Sequence, residues 1–135
     1  MTAGRAVLDP NVLISALLSP SGSPAALIAR WLAGEFELVV SELLLAELRR
    51  ALAYPRLRSR ITDDQATAFV DVLGRTATTV ADPVTSARRS RDPGDDYLLV
   101  LAEAGAAVLV TGDEDLLALG DVPVLSPAAF LETLA

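Results

Sequence analysis

Residues 95–117 read DDYLLVLAEAGAAVLVTGDEDLL, and this stretch decides the class of fold. After the paired acids, Leu98, Leu99 and Ala102 recur at helical spacing, and Gly105 stands where that helix should stop. Ala107 to Val110 then form a short apolar run of strand length, and TGDEDLL opens a second helical pattern. Working outward, further strand candidates are Ala6 to Leu8, Leu38 to Val40, Thr78 to Val80 and Val122 to Leu125. The helical patterns run over Val12 to Leu18, Pro24 to Ala33, Glu42 to Ala53, Asp63 to Gly74, Asp95 to Ala104, Glu114 to Leu119 and Pro127 to Leu134. Short strands alternating with longer helices imply βα units, hence a three-layer α/β/α sandwich with a mainly parallel central sheet.

Local chemistry supports these limits. Thr62 with Gln65 forms a capping-box pattern, and Ser126-Pro127 sets a side-chain cap before a proline at the first helical position. Gly34, Gly74, Gly105 and Gly120 sit at expected helix ends. The longest loop, residues 82–94, carries Arg88, Arg89 and Arg91. No repeat or linker divides the chain, and 135 residues suit a single domain over 1–135. Leu17, Leu27 and Trp31 form an apolar set that serves either the core or a dimer face.

Composition narrows the chemistry. The chain has a net charge of −7 and lacks cysteine and histidine, and all 11 of its basic residues are arginine. This removes the usual neutral-pH general base, thiolate chemistry, a Schiff-base amine and a phosphate-pairing lysine. No apolar run approaches the roughly 20 residues that span a bilayer, and Asp9, Pro10 and Asn11 interrupt the apolar start as no secretory segment would. A cytoplasmic protein is expected, acting through carboxylates, hydroxyls, arginines or a bound metal.

The carboxylates have a pattern. In open parallel sheets, ligands sit beyond the carboxyl ends of the strands. Asp9 closes the first strand, and Pro10 keeps it extended at that rim. Asp113 closes another strand, Asp95 opens the helix after the long loop, and Glu47 lies on the flank of the helix that follows Ser41. Helical geometry places Asp95 on the face of Leu98, Leu99 and Ala102, and turns Asp96 toward solvent beside Glu103. Taken singly, Asp95 and Asp113 read equally well as helix caps, Asp9 as an organiser of the Pro10-Asn11 turn, and Glu47 as a partner for an arginine. Together, four acids in one pocket repel and take up protons unless a cation neutralises them. Without lysine that cation is a divalent metal, and oxygen-only ligation suits Mg²⁺ or Mn²⁺.

These residues resemble the PIN-domain family, in particular its bacterial toxin-like branch. AVLDPNVLISALLSPSGSPAAL (6–27) looks like the family's first motif, SELLLAELRRALAYPRL (41–57) like its second, and DPGDDYLLVLAEAGAAVLVTGDEDLL (92–117) like its third and fourth. The resemblance covers nearly the whole chain in order. It implies a metal-dependent endoribonuclease with metal-site roles for Asp9, Glu47, Asp95 and Asp113 and supporting roles for Asn11, Ser41, Asp92 and Thr111. It leaves Asp115 ambiguous between a place near the site and a helix first-turn acid, the second being favoured. It further implies RNA as substrate, an antitoxin partner and a homodimer. Where the family has a hydroxyl residue after the first acid, this chain has Pro10. Arginines must then position phosphates, and the candidates are Arg56, Arg58, Arg60, Arg88, Arg89 and Arg91. The alternative is a PIN-like protein that binds RNA or a partner with weak or no catalysis. A phosphoryl-accepting domain using Asp9 is disfavoured, because lysine is absent and Asn11 stands where a second acid is needed.

Overall fold

The fold is described from a computed structural model covering residues 4–82, 96–119 and 123–134. Five strands form a wholly parallel sheet: β1 (Arg5–Leu8), β2 (Glu37–Val40), β3 (Thr78–Thr79), β4 (Val108–Val110) and β5 (Val124–Leu125). The helices are α1 (Pro10–Leu18), α2 (Ser23–Leu32), α3 (Glu42–Leu52), α4 (Pro55–Arg58), α5 (Asp63–Thr76), α6 (Asp96–Ala104), α7 (Glu114–Leu117) and α8 (Pro127–Thr133). The strand order is β3-β2-β1-β4-β5. Connections from β1 through β3 therefore step one way across the sheet, and those from β3 through β5 step the other way. With right-handed crossovers, the helices between β1 and β3 cover one face and those between β3 and β5 the other. The expected α/β/α layering is thus observed.

Burial follows from the layers. Ala6, Val7, Leu8, Val39, Val40, Leu109 and Val110 are wholly enclosed, as strands covered on both faces must be. On one side α1 packs on α2 and α3, α3 on α5, and α2 on α8; α6 lies on β1 and β4. Phe36 meets Phe130 edge to face at 5.2 Å between ring centres, which fastens α8 to the start of β2. Leu27 and Trp31 are buried in this core and Leu17 is partly buried against it, so the core reading of that apolar set holds. Among the described residues no single helix is long and apolar enough to cross a membrane.

One local expectation is corrected. Gly74 does not end its helix. α5 runs on to Thr76 because Val70 and Leu73 stay packed in the core, and tertiary packing outweighs the helix cost of one glycine. Gly105 does follow α6, but the left-handed residue there is Ala106 (φ 51). Gly105 is needed for space, since a Cβ would lie 3.2 Å from Val39 Cγ1 and 3.3 Å from the Leu101 carbonyl oxygen. The one-turn helix α4, which Pro55 starts at its first position, was too short to leave a periodic signal. Gly34, by contrast, takes φ 82 as a helix-ending glycine does. Gly120 and Val122 lie outside the described residues.

Leu109 anchors β4 between both helical layers, so Leu109→Ala is expected to destabilise the protein by about 2–5 kcal/mol through lost burial and a residual cavity. Urea unfolding measures this; an unchanged midpoint would refute the placement of β4 in the core.

Candidate active site and metal centre

The strand order reverses between β1 and β4, and the crevice beyond their carboxyl ends is where such sheets bind ligands. Register decides what arrives there. Ala6 pairs with Leu38 and Leu8 with Val110, so the residues next in line are Ser41, Asp9 and Thr111, side by side with Asp9 in the middle. The Asp9 amide donates to the Val110 carbonyl at 3.0 Å, extending the ladder to that row. All three side chains are buried.

Asp9 has the extended backbone that a following proline imposes (φ −53, ψ 139). It caps α1 by accepting a hydrogen bond from the Asn11 amide at 2.9 Å on Oδ1. A cap of this kind uses an N–H from the second or third helical residue, so Pro10 at the first position removes nothing the cap needs. The Thr111 hydroxyl donates to Asp9 Oδ2 at 2.8 Å and accepts from the Asp113 amide at 3.1 Å. Asp113 in turn caps α7 by accepting from the Asp115 amide at 2.8 Å. Asp9 and Asp113 are therefore tied through one hydroxyl.

Burial raises the Asp9 carboxyl above its ordinary value of 3.8 and is the largest influence; the Asn11 and Thr111 hydrogen bonds pull it down, and the Asp113 charge pushes it up again. No arginine forms an ion pair with Asp9 among the described residues. The opposite edge of the sheet differs. There Glu37 accepts from the Thr78 hydroxyl at 2.8 Å and pairs with Arg5 at 3.1 Å, and these contacts hold its carboxyl below the usual range, Thr78 most strongly. Arg5 also donates to the Gly105 carbonyl at 2.6 Å. One edge is neutralised internally, whereas at the other an inward acid has hydrogen-bond donors and no ion-pair partner among the described residues.

The remaining candidates divide. Ser41 caps α3, its Oγ accepting from the Leu44 amide at 3.2 Å, and Asp82 accepts from the neighbouring Leu43 amide at 3.0 Å. Glu47 is half-buried on the same helix and forms an ion pair with Arg50, one turn along. Asn11 is exposed beside Asp9, and Asp115 is an exposed first-turn acid of α7. Asp92, Asp95, Arg88, Arg89 and Arg91 lie outside the described residues. Asp96 corrects an expectation: it is buried, 5% exposed. Only Glu103 and Ala104 of α6 reach solvent fully, so the flank shared by Asp96, Leu99 and Val100 is covered at the helix start. Because α6 leads into the amino end of β4, its first turn stands at the carboxyl edge of the sheet. A helix apolar nearly all round was the available signal, and it argued against a solvated Asp96.

Among the described residues no three acids form a grouping suited to a metal ion. Asp9 and Asp113 come together, while Glu47 is turned to Arg50. The donor set still suits a hard divalent cation: it is oxygen-only, anionic and partly desolvated, with Asp9 inside the crevice.

Comparison with known proteins gives the class. Residues 5–115 match the PIN domain family. The chain belongs to that family. It is 26% identical over 117 residues to the uncharacterized protein MJ1680 of Methanocaldococcus jannaschii, covering 87% of this chain and 76% of that protein. The fold resembles PAE2754 from Pyrobaculum aerophilum (TM-score 0.65, 19% identity, 97% of this chain and 90% of that one). It also resembles a chain in VapBC2 from Rickettsia felis, a complex bound to a DNA fragment from their promoter (TM-score 0.63, 16% identity, 89% and 96%). A third likeness is to a chain of FitAcB from Neisseria gonorrhoeae (TM-score 0.58, 18% identity, 91% and 98%).

Because folding raises the Asp9 carboxyl, its neutral form supports stability below its unfolded value of 3.8, and that support is lost as pH rises through the higher folded value. Asp9→Asn keeps the cap and removes the buried charge. In metal-free buffer its thermal midpoint is expected to exceed the parent's at pH 7 and to converge with it below 3.8. Equal midpoints at both pH values would contradict a desolvated Asp9.

Proposed function

We propose that this chain is a divalent-metal-dependent endoribonuclease, the toxin of a toxin-antitoxin pair. The observation that carries the reading is the buried Asp9, hydrogen-bonded from two sides and joined to Asp113 through Thr111 with no cationic partner among the described residues. Asp9 and Asp113 hold Mg²⁺ or Mn²⁺ together with Glu47 and Asp95, and Asp96 joins the candidates because it is buried at the same edge. Glu47 reaches the site by giving up Arg50, an exchange that costs little because Arg50 is largely exposed. When bound, the ion supplies a more acidic water and stabilisation for charge on the leaving oxygen of the RNA phosphodiester. Thr111 and the Asn11 amide orient the Asp9 oxygens, Ser41 fixes the start of α3 and so the position of Glu47, and Asp92 is a further supporting residue.

An antitoxin partner is supported by the fold's likeness to chains of VapBC2 and FitAcB. We read the protein as cytoplasmic, as one domain over 1–135 and as a homodimer. The partner is expected to be a small protein encoded beside this chain that co-purifies with it.

Two substitutions test the reading on single-stranded RNA with Mn²⁺. Asp9→Asn is expected to abolish cleavage, and Thr111→Val to lower it about 10- to 100-fold, the usual cost of losing a side chain that orients a ligand. Cleavage by Asp9→Asn at the parent rate would show that the site is wrongly assigned. RNA binding without turnover by the parent would leave a binding protein in place of a nuclease.

A further inference from the structure

A groove of about 420 Å³ runs beside the Asp9 site, between α1 and the corner where α3 turns into α4. One wall is a row of α1: Asn11, Ser15 and Leu18. It starts at the residue whose amide holds Asp9 and extends about 10 Å at the helical rise. The other wall carries Tyr54, Arg56 and Arg60.

This wall has three properties that belong together. Tyr54 is 53% exposed, an aromatic ring left at the surface. Arg5, Arg30, Arg50 and Arg58 each hold a carboxylate; Arg56 and Arg60, like Arg49 and Arg75 elsewhere, have no carboxylate partner among the described residues, and Arg60 donates only to the Leu18 carbonyl at 3.4 Å. Among the described residues no acidic residue lines the groove. On a chain of net charge −7, two arginines without a carboxylate partner among the described residues thus line a groove that reaches Asn11, the residue whose amide binds Asp9. The structure also divides the arginines that follow α3, because Arg58 pairs with Asp63 at 3.1 Å and faces a different groove.

We propose that this groove is the track along which single-stranded RNA approaches the cleavage site, with Tyr54 as a base-stacking platform and Arg56 and Arg60 as phosphate contacts. The inference rests on the nuclease reading above. A polyanion explains the arginines, and a polyanion with flat bases explains why an aromatic ring stands exposed beside them. Stacking on a ring tolerates any base, so the groove sets the path of the strand and not its sequence. The α1 row then feeds the strand to Asn11 and the carboxylates.

The test measures binding of a short labelled single-stranded RNA with Ca²⁺ in place of Mn²⁺, alongside Mn²⁺-dependent cleavage by the same proteins. Tyr54→Ala is expected to weaken binding roughly 5- to 150-fold, the range for loss of one stacked base, and Tyr54→Phe to bind like the parent. Arg56→Ala with Arg60→Ala is expected to weaken binding and flatten its log–log salt dependence by about 1.4, at about 0.7 for each single-strand phosphate contact. All three residues are exposed, and unchanged thermal midpoints confirm that the variants fold. If the parent cleaves RNA and these variants bind and cleave as it does, the track is wrong and the nuclease reading survives. If an acidic peptide such as poly(Glu) binds through Tyr54 and Arg56 while RNA does not, the occupant is a peptide and the proposal is overturned. A parent that neither binds nor cleaves RNA overturns both readings.

Discussion

The Asp9 carboxylate sits inside the protein at the rim of the sheet, where water cannot solvate its charge. The Thr111 hydroxyl and the Asn11 amide each bind one of its oxygens. These contacts are worth less than the burial they oppose, so the carboxyl is left above its ordinary value with a second acid, Asp113, close enough to raise it further. A buried acid in that condition either takes a proton or finds a cation. Much of the surrounding structure places this one group: β1 ends so that Asp9 caps α1, and β4 ends so that Thr111 faces it.

The reversal of strand order between β1 and β4 makes the arrangement possible. Two segments far apart in sequence end side by side, and the helices that would close over them diverge to opposite faces. At the other edge the Arg5, Glu37 and Thr78 side chains satisfy each other and lock β1 to its neighbour β2 and, beyond it, β3. Internal charge balance there contrasts with the crevice, where Asp9 has no ion-pair partner among the described residues. The pair of Glu47 with Arg50 lies at the surface, where breaking it costs the fold little.

Much of this was legible in the sequence because short apolar runs and helical periodicities report burial directly. The strands and all the helices except α4 fall within a residue or two of their expected places wherever they are described. Asp9 and Asp113 were recognisable as strand-end acids, and Pro10 as the residue that keeps Asp9 extended, although the helix begins at Pro10 itself and not at Val12. The rest depended on contacts that have no period. Gly74 was misread because a glycine inside a helix is tolerated when its neighbours stay packed. Asp96 was misread because a wheel drawn from Leu98, Leu99 and Ala102 gives one inward face, while the first turn of α6 is covered on more than one side. Glu47 could be placed on its helix, but its choice of Arg50 is a matter of side-chain rotamers. The groove beside Tyr54 was invisible because α4 is a single turn.

The central claim is that the buried Asp9 carboxyl, whose proton affinity burial raises, is where a divalent cation binds. Calorimetric titration with Mn²⁺ in two buffers of different ionisation enthalpy tests it most directly, because it counts protons lost when metal binds. Binding is expected to release a fraction of a proton that grows as pH is lowered toward the raised Asp9 value, and Asp9→Asn is expected to abolish both binding and release. Mn²⁺ binding to Asp9→Asn with the parent's affinity and proton count would contradict it.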